Sequence, residues 1–202
     1  MNKNVFLYGA SGHSKVIIDI LKLNNFKIIN IFDDDTSKKK LLEFNVCKPT
    51  RIEEQVNSCV ISIGNNIIRQ KIAKQFCKLK YAIAIHPKAV LDNTVKVGQG
   101  SVIMANAVVN CSTIIGEHCI INTLASVDHD CIISDFVHIS PNATLCGNVS
   151  IGECSQIGAG SVIIQGVTIG KNVIIGAGSV VIKDVIDNTT VVGNPAKPIK
   201  NK

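Results

Sequence analysis

"VSIGECSQIGAGSVIIQGVTIGKNVIIGAGSVV", residues 149–181, decides the fold. Ile151, Ile157, Ile163, Ile169, Ile175 and Val181 recur every six residues. Counted back in the same phase, the lead positions run without a break to Ile85, and every one is Ile, Leu or Val. Four places after each lead comes a small or β-branched residue, as in Cys119, Ala125, Cys131, Val137 and Ala143. A period of six fits neither a helix at 3.6 residues per turn nor an alternating hairpin sheet. It fits a parallel β-helix, in which each hexad makes one short flat side and three hexads close a triangular coil. The large aliphatics then point into the prism. No coil buries its ladder alone, so stability comes from stacking. Glycines just after a lead (Gly98, Gly116, Gly152, Gly158, Gly170, Gly176) read as tight corners where φ is free to turn positive.

Residues 1–84 carry no such phase. "NVFLYG" and "KIINIF" read as strands, with a helix from about Ser14 to Leu23 between them. "CVISIG" reads as a third strand, followed by a helix to about Leu79, and "YAIAI" as a fourth that leads into the solenoid. Strands alternating with helices predict a small, Rossmann-like α/β domain over 1–84, ahead of the β-helix over 85–202. Ligands of such sheets bind beyond the carboxyl ends of the strands. Gly9-Ala10-Ser11-Gly12-His13, Asp33-Asp34 and Gly64-Asn65-Asn66 all fall at such ends. The first of these lacks the G-x-G-x-x-G dinucleotide fingerprint. It reads either as a tight connection or as a helix N-terminus that receives an anionic or hydroxyl-rich ligand. Asp33-Asp34 reads as a solvated turn or as a grip on ligand hydroxyls or an amine.

Composition narrows the class. The 202 residues are 46% apolar but only 4% aromatic, with no Trp, so Val, Ile, Leu and Ala must build the core. The N-terminal apolar run Val5–Tyr8 is too short for a signal peptide, and no stretch of 18 apolar residues suits a membrane span. A cytoplasmic protein is expected. The 8 cysteines show neither C-x-x-C nor zinc spacing, and read as reduced core fillers. The net charge of +6 fits a phosphate-rich small molecule. The basic residues form no stripe interleaved with aromatics, so nucleic acid is not expected. No metal is implied, because His129 and His138 lie nine residues apart without a clear third ligand.

The hexad register also sorts the polar residues of "SVDHDCIISDFVHIS", residues 126–140. Val127 and Cys131 take inward positions, so His129 and Asp130 project outward. Adding one coil of eighteen residues to His129 reaches Gly147, which should stack beside it and leave a backbone N–H approachable. His138 closes the next hexad and is expected near a corner. His86 and His118 read as surface residues. Cys146 adjoins this site, but no basic partner is evident by spacing.

The hexads, ending in Gly193-Asn194-Pro195-Ala196-Lys197, resemble the hexapeptide-repeat acyltransferases. "YGASGHSK", "DDD", "IGNNIIRQKI" and "VDHDC…FVHIS…CGNVSIG" together resemble the PglD/NeuD-type sugar acetyltransferases of bacterial glycan synthesis. That resemblance implies a left-handed β-helix, homotrimers, and acetyl-CoA lying between neighbouring prisms. It implies that Ser11, Gly12, His13, Asp33, Asp34 and Gly64 contact a nucleotide sugar. It implies His129 as general base, with Asp130 as its acidic partner, and His138, Ala159 and Ala177 as contacts of acetyl-CoA. Gly147 is then the natural donor to the thioester oxygen. The expected activity is N-acetylation of a nucleotide-linked 4-amino-4,6-dideoxy sugar, with a UDP-sugar favoured. O-acetylation of a sugar such as sialic acid, and a non-catalytic sugar-nucleotide-binding module, stand as alternatives.

Overall fold

The computed structural model describes residues 3–50, 52 and 57–201. The N-terminal part is a five-stranded sheet with strands β1 (Asn4–Tyr8), β2 (Lys27–Phe32), β3 (Lys40–Leu41), β4 (Phe44–Cys47) and β5 (Ser58–Ile61). Their order is β3-β4-β2-β1-β5, parallel except for the β3–β4 hairpin. Helix α1 (Gly12–Leu23) follows β1, and α2 (Asn66–Gln75) follows β5. Helix α1 starts two residues earlier than its sequence suggests, because Ser11 serves as N-cap; its N–H donates to Ser14 Oγ at 3.1 Å. Helix α2 stops at Gln75 rather than near Leu79. The expected fourth strand does not join this sheet. Tyr81 makes a lone bridge to Cys59, and Ala84–Ile85 is already the first strand of the solenoid.

The solenoid has three sides, each built of two-residue strands that pair in parallel with the strand eighteen residues on. One side holds Ile120–Ile121, His138–Ile139 and Gln156–Ile157; the next holds Ser126–Val127 and Thr144–Leu145; the third holds Ile132–Ile133 and Ser150–Ile151. The lead aliphatics and the small residues four places on form one continuous core. Each fully buried lead removes enough apolar surface to contribute roughly 1.5–3 kcal/mol before chain entropy is subtracted.

The corner chemistry differs from expectation. None of the six glycines after a lead has positive φ. They are small because the next coil is too near: a β-carbon on Gly98 would sit 2.5 Å from the carbonyl carbon of Gly116. Positive φ falls two residues later, at Asn106, Ser112, His118, Leu124, Asp130, Phe136, Asn142, Asn148, Cys154 and Asn172 among others. Asparagine suits the left-handed region, whereas Leu124 and Phe136 are strained there and are held by the coils on either side.

The N-terminal sheet and α1 pack on the first side, where Val102, Met104 and Ile120 join Val5, Leu7, Ile17 and Leu21 in one core. Helix α2 lies along the corner that contains His118, Phe136 and Cys154. His118 is only 3% exposed and stacks on Phe136 at 5.2 Å, and His86 is buried as well, so neither is the surface residue expected. Tyr81 and Phe136 flank the His118 ring, the Lys88 N–H donates to His86 Nδ1 at 3.0 Å, and hexad counting alone does not reveal a domain covering this side. Cys59, Cys119, Cys131 and Cys154 are buried. No helix among the described residues is long and apolar enough to cross a membrane.

Candidate active site

The pair expected to face outward does so. His129 and Asp130 sit at the corner between the second and third sides, with side chains 53% and 58% exposed. The positive φ of Asp130, 59°, turns its carboxylate back on the preceding ring. His129 Nδ1 and Asp130 Oδ2 are 2.7 Å apart. That contact fixes the proton on Nδ1 and leaves Nε2 as the free base. Asp128 stands on the other side. Its Oδ1 accepts from the His129 N–H and from Asn110 Nδ2, each at 2.8 Å. The bond to Asp130 and the charge of Asp128 together raise the His129 pKa above its ordinary value.

Gly147 lies where counting by eighteen predicts. A β-carbon on it would come within 2.6 Å of His129 Cε1 and 2.7 Å of Nε2. The ring therefore covers the Gly147 α-carbon, and only glycine fits beneath it. The neighbours Cys146 and Asn148 donate their N–H groups to Ile163 and His129, while the Gly147 N–H meets no acceptor among the described residues. It is free to serve a ligand.

Ala159 and Ala177 stack eighteen residues apart at a different corner, between the first and second sides. The Gly178 N–H donates to the Ala159 carbonyl at 2.8 Å. Beside them, a β-carbon on Gly160 or Gly178 would meet nothing within 4 Å. This corner presents backbone and methyl groups to open space, which suits the flank of an extended ligand.

His138 is not at a corner. It lies mid-strand on the first side, between Ile120 and Gln156, where the apolar contact with the N-terminal part gives way to polar groups. Asn122 Nδ2 approaches its Nε2 at 3.0 Å, and the His13 ring centre is 6.4 Å away. Burial, and then the nearby Arg69 charge, lower the pKa of both His13 and His138 to about 4. Both rings are neutral at physiological pH.

The remaining expected ligand contacts gather at the carboxyl ends of the N-terminal strands. Ser14 Oγ and Ser62 Oγ each donate to the Gly9 carbonyl at 2.8 Å, which braces the turn carrying Ser11, Gly12 and His13. Gly64 precedes Asn65, the N-cap of α2, and its backbone lies near the His138 ring. Asp33 is largely engaged within the chain. It accepts from the Ala10 N–H at 2.7 Å, from Lys38 Nζ at 2.9 Å and from the Asp35 N–H at 2.9 Å. Asp34 accepts from the Tyr8 hydroxyl at 3.0 Å. These carboxylates hold the loop in shape, and Asp34 remains the more exposed of the two.

Residues 4–76 match the family of the PglD N-terminal domain, and residues 130–165 and 148–183 match the bacterial transferase hexapeptide repeats. A perosamine N-acetyltransferase from Caulobacter crescentus, solved with CoA and GDP-perosamine, is 36% identical. It superposes with a TM-score of 0.92 over 98% of this chain and 97% of that one. The chain belongs to the hexapeptide-repeat sugar acetyltransferases with a PglD-type N-terminal domain. The solenoid is the left-handed β-helix of that superfamily. Another member, the acetyltransferase domain of PglB from Neisseria gonorrhoeae FA1090, was solved with acetyl coenzyme A. It is 38% identical, with a TM-score of 0.91 over 98% of this chain and 100% of that one. UDP-N-acetylbacillosamine N-acetyltransferase of Bacillus subtilis (strain 168) is 36% identical over 115 residues, 51% of this chain and 52% of its own. The match thus spans about half the length of that curated relative.

Sequence reasoning missed three parts of the site. Asp128 lay in plain view as a third acidic residue, and only its bond to the His129 N–H gives it meaning. Asn122 sits one coil below Ser140 and reaches His138 sideways, which the eighteen-residue count does not show. Arg69 reads as one more charge on a helix, yet it is 1% exposed.

Proposed function

We propose that this chain transfers an acetyl group from acetyl-CoA to the amine of a nucleotide-linked 4-amino-4,6-dideoxy sugar, with a UDP-sugar favoured, in bacterial surface glycan or glycoprotein synthesis. The observation that carries the reading is the His129–Asp130 pair lying over Gly147, whose N–H has no other acceptor among the described residues. When bound, acetyl-CoA supplies the acetyl group as a thioester. The sugar nitrogen attacks the thioester carbon, and the carbon–sulfur bond breaks. His129 Nε2 takes the proton that the nitrogen loses, and Asp130 stabilises the imidazolium. The Gly147 N–H donates to the oxygen as it gains charge. Ser11, Gly12, His13, Asp34 and Gly64 would hold the sugar nucleotide, with Asp33 bracing their loop. Ala159 and Ala177 would flank acetyl-CoA. His138, beside His13, would also contact acetyl-CoA.

The arrangement supports a site shared between copies, and the family resemblance implies that the copies form a homotrimer. His129 occupies the corner opposite the side on which the N-terminal part packs. A sugar held in the crevice of one copy therefore reaches His129 of a second copy more readily than its own. Soluble protein inside the cell is the setting that acetyl-CoA and nucleotide sugars require.

The test is incubation of the purified protein with acetyl-CoA and UDP-, GDP- or dTDP-linked 4-amino sugars, with free sialic acid in parallel. Release of CoA thiol with an amino sugar supports the reading. Release with sialic acid alone would replace it by O-acetylation.

A further inference from the structure

Arg69 is the largest fully buried side chain of the described residues, at 1% exposure. Its bonds run only to neutral oxygens. Nε donates to the His118 carbonyl at 2.7 Å and Nη2 to the Phe136 carbonyl at 2.9 Å. Nη2 also donates to Asn66 Oδ1 at 2.8 Å. Nη1 donates to the carbonyls of Ile63 at 2.9 Å and Gly64 at 3.1 Å. Asn66 continues the link, donating Nδ2 to the carbonyls of Cys154 and Ser155 at 3.1 Å each. The side chains of Arg69 and Asn66 thus grip three successive coils and the loop ahead of α2 at once.

A buried cation without a carboxylate is expensive unless its donors are all used. Leucine or methionine would avoid that cost but would leave the carbonyls of His118, Phe136, Ile63 and Gly64 without a donor, so arginine here serves stability as well as geometry. What the guanidinium does that an apolar residue cannot is fix a distance: its planar fork ties Ile63 and Gly64 to the solenoid backbone. The Gly64 backbone lies near the His138 ring, which stands 6.4 Å from the ring of His13.

We infer that Arg69 is a positioning residue, holding the Ile63–Gly64 loop at a set height over His138 so that the crevice is formed before the nucleotide sugar enters. The assignment rests on the proposed function for its substrate. His129 lies at the far corner, so its chemistry is independent of this clamp.

The test is Arg69→Lys, which keeps the charge but loses the fork, read by steady-state kinetics and by hydrogen exchange of the amides of residues 68 and 69, which donate to Asn65. The KM for the nucleotide sugar should rise about 10- to 100-fold, the scale of a misplaced binding group. The KM for acetyl-CoA, kcat and the acid limb of the pH profile should change less than about threefold. Exchange at 68 and 69 should quicken while solenoid amides stay protected. Guanidinium-specific positioning is overturned if the folded variant keeps a normal nucleotide-sugar KM and normal exchange, or if kcat falls with KM unchanged. Should Arg69→Lys fail to fold, Asn66→Ala, which loosens the same clamp, is read in the same way. If the wild type acetylates no nucleotide sugar, the proposed function fails, and exchange at 68 and 69 still decides the role of Arg69.

Discussion

The imidazole of His129 lies against the α-carbon of Gly147, one coil above it, with room for a hydrogen and nothing larger. This contact joins the proposed base to a backbone N–H that has no acceptor among the described residues. Gly147→Ala must push the ring aside or tilt the peptide. We expect kcat to fall roughly 10²- to 10³-fold, the range seen when an oxyanion donor is lost. Circular dichroism should be unchanged, since the position lies outside the core. Near-normal turnover in Gly147→Ala would separate the donor from the chemistry.

His129→Ala should lower turnover by about 10²- to 10⁴-fold, the usual contribution of a general base. The base works only when unprotonated. Its pKa is raised by the Asp130 bond and the Asp128 charge, so kcat/KM should climb with pH through a midpoint above 6.5. Asp130→Asn removes one of those causes. Its acid limb should move to lower pH while the plateau drops, because the ring is a weaker base. A midpoint unmoved in Asp130→Asn argues against the pairing.

Three histidines have pKa values shifted in the opposite direction, and they set a stability profile. His13, His118 and His138 titrate near 4 in the folded chain, through burial first and the Arg69 charge second. Unfolded, each takes its proton near pH 6.5. Between those values the unfolded state binds more protons, so stability falls as the pH drops from about 6.5 towards 4. Above 6.5 these groups add no slope. Urea midpoints at pH 4.5, 5.5 and 7.0 should rise in that order, and His118→Phe should flatten the trend. Equal midpoints would deny the burial of these rings.

Gly98→Ala tests the reason for the glycines after each lead. The backbone angle there is ordinary, but a methyl would collide with the backbone at Gly116. We expect a loss of about 1–3 kcal/mol, the scale of overpacking. Ile139→Ala, at a fully buried lead position, should cost about 2–5 kcal/mol. Both are measured by denaturant unfolding. A neutral Gly98→Ala would show that the coils can part without strain.

The solenoid was legible because its signal is strictly periodic. Each of Val127, Ile133 and Ile139 fills the same geometric slot, and eighteen-step addition carried His129 to Gly147. The corners were misread because two different constraints produce glycine: lack of space at Gly98, and positive φ at Gly160. Counting locates a corner without telling the two apart. His118 and His138 were misplaced for another reason. Their surroundings come from the α2 helix and the His13 turn, which are distant in sequence. The roles of Asp33 and Arg69 likewise rest on contacts that only the folded chain brings together.

The central claim is acetyl transfer to a nucleotide-linked amine with His129 as base. It is tested most directly by following thiol release from acetyl-CoA with UDP-linked 4-amino-4,6-dideoxy sugar, for the wild type and His129→Ala side by side. The account predicts stoichiometric thiol and N-acetyl sugar from the wild type, and a rate at least about 10²-fold lower from the variant. Equal rates for the two, or no thiol from the wild type with any nucleotide-linked amino sugar, would contradict it.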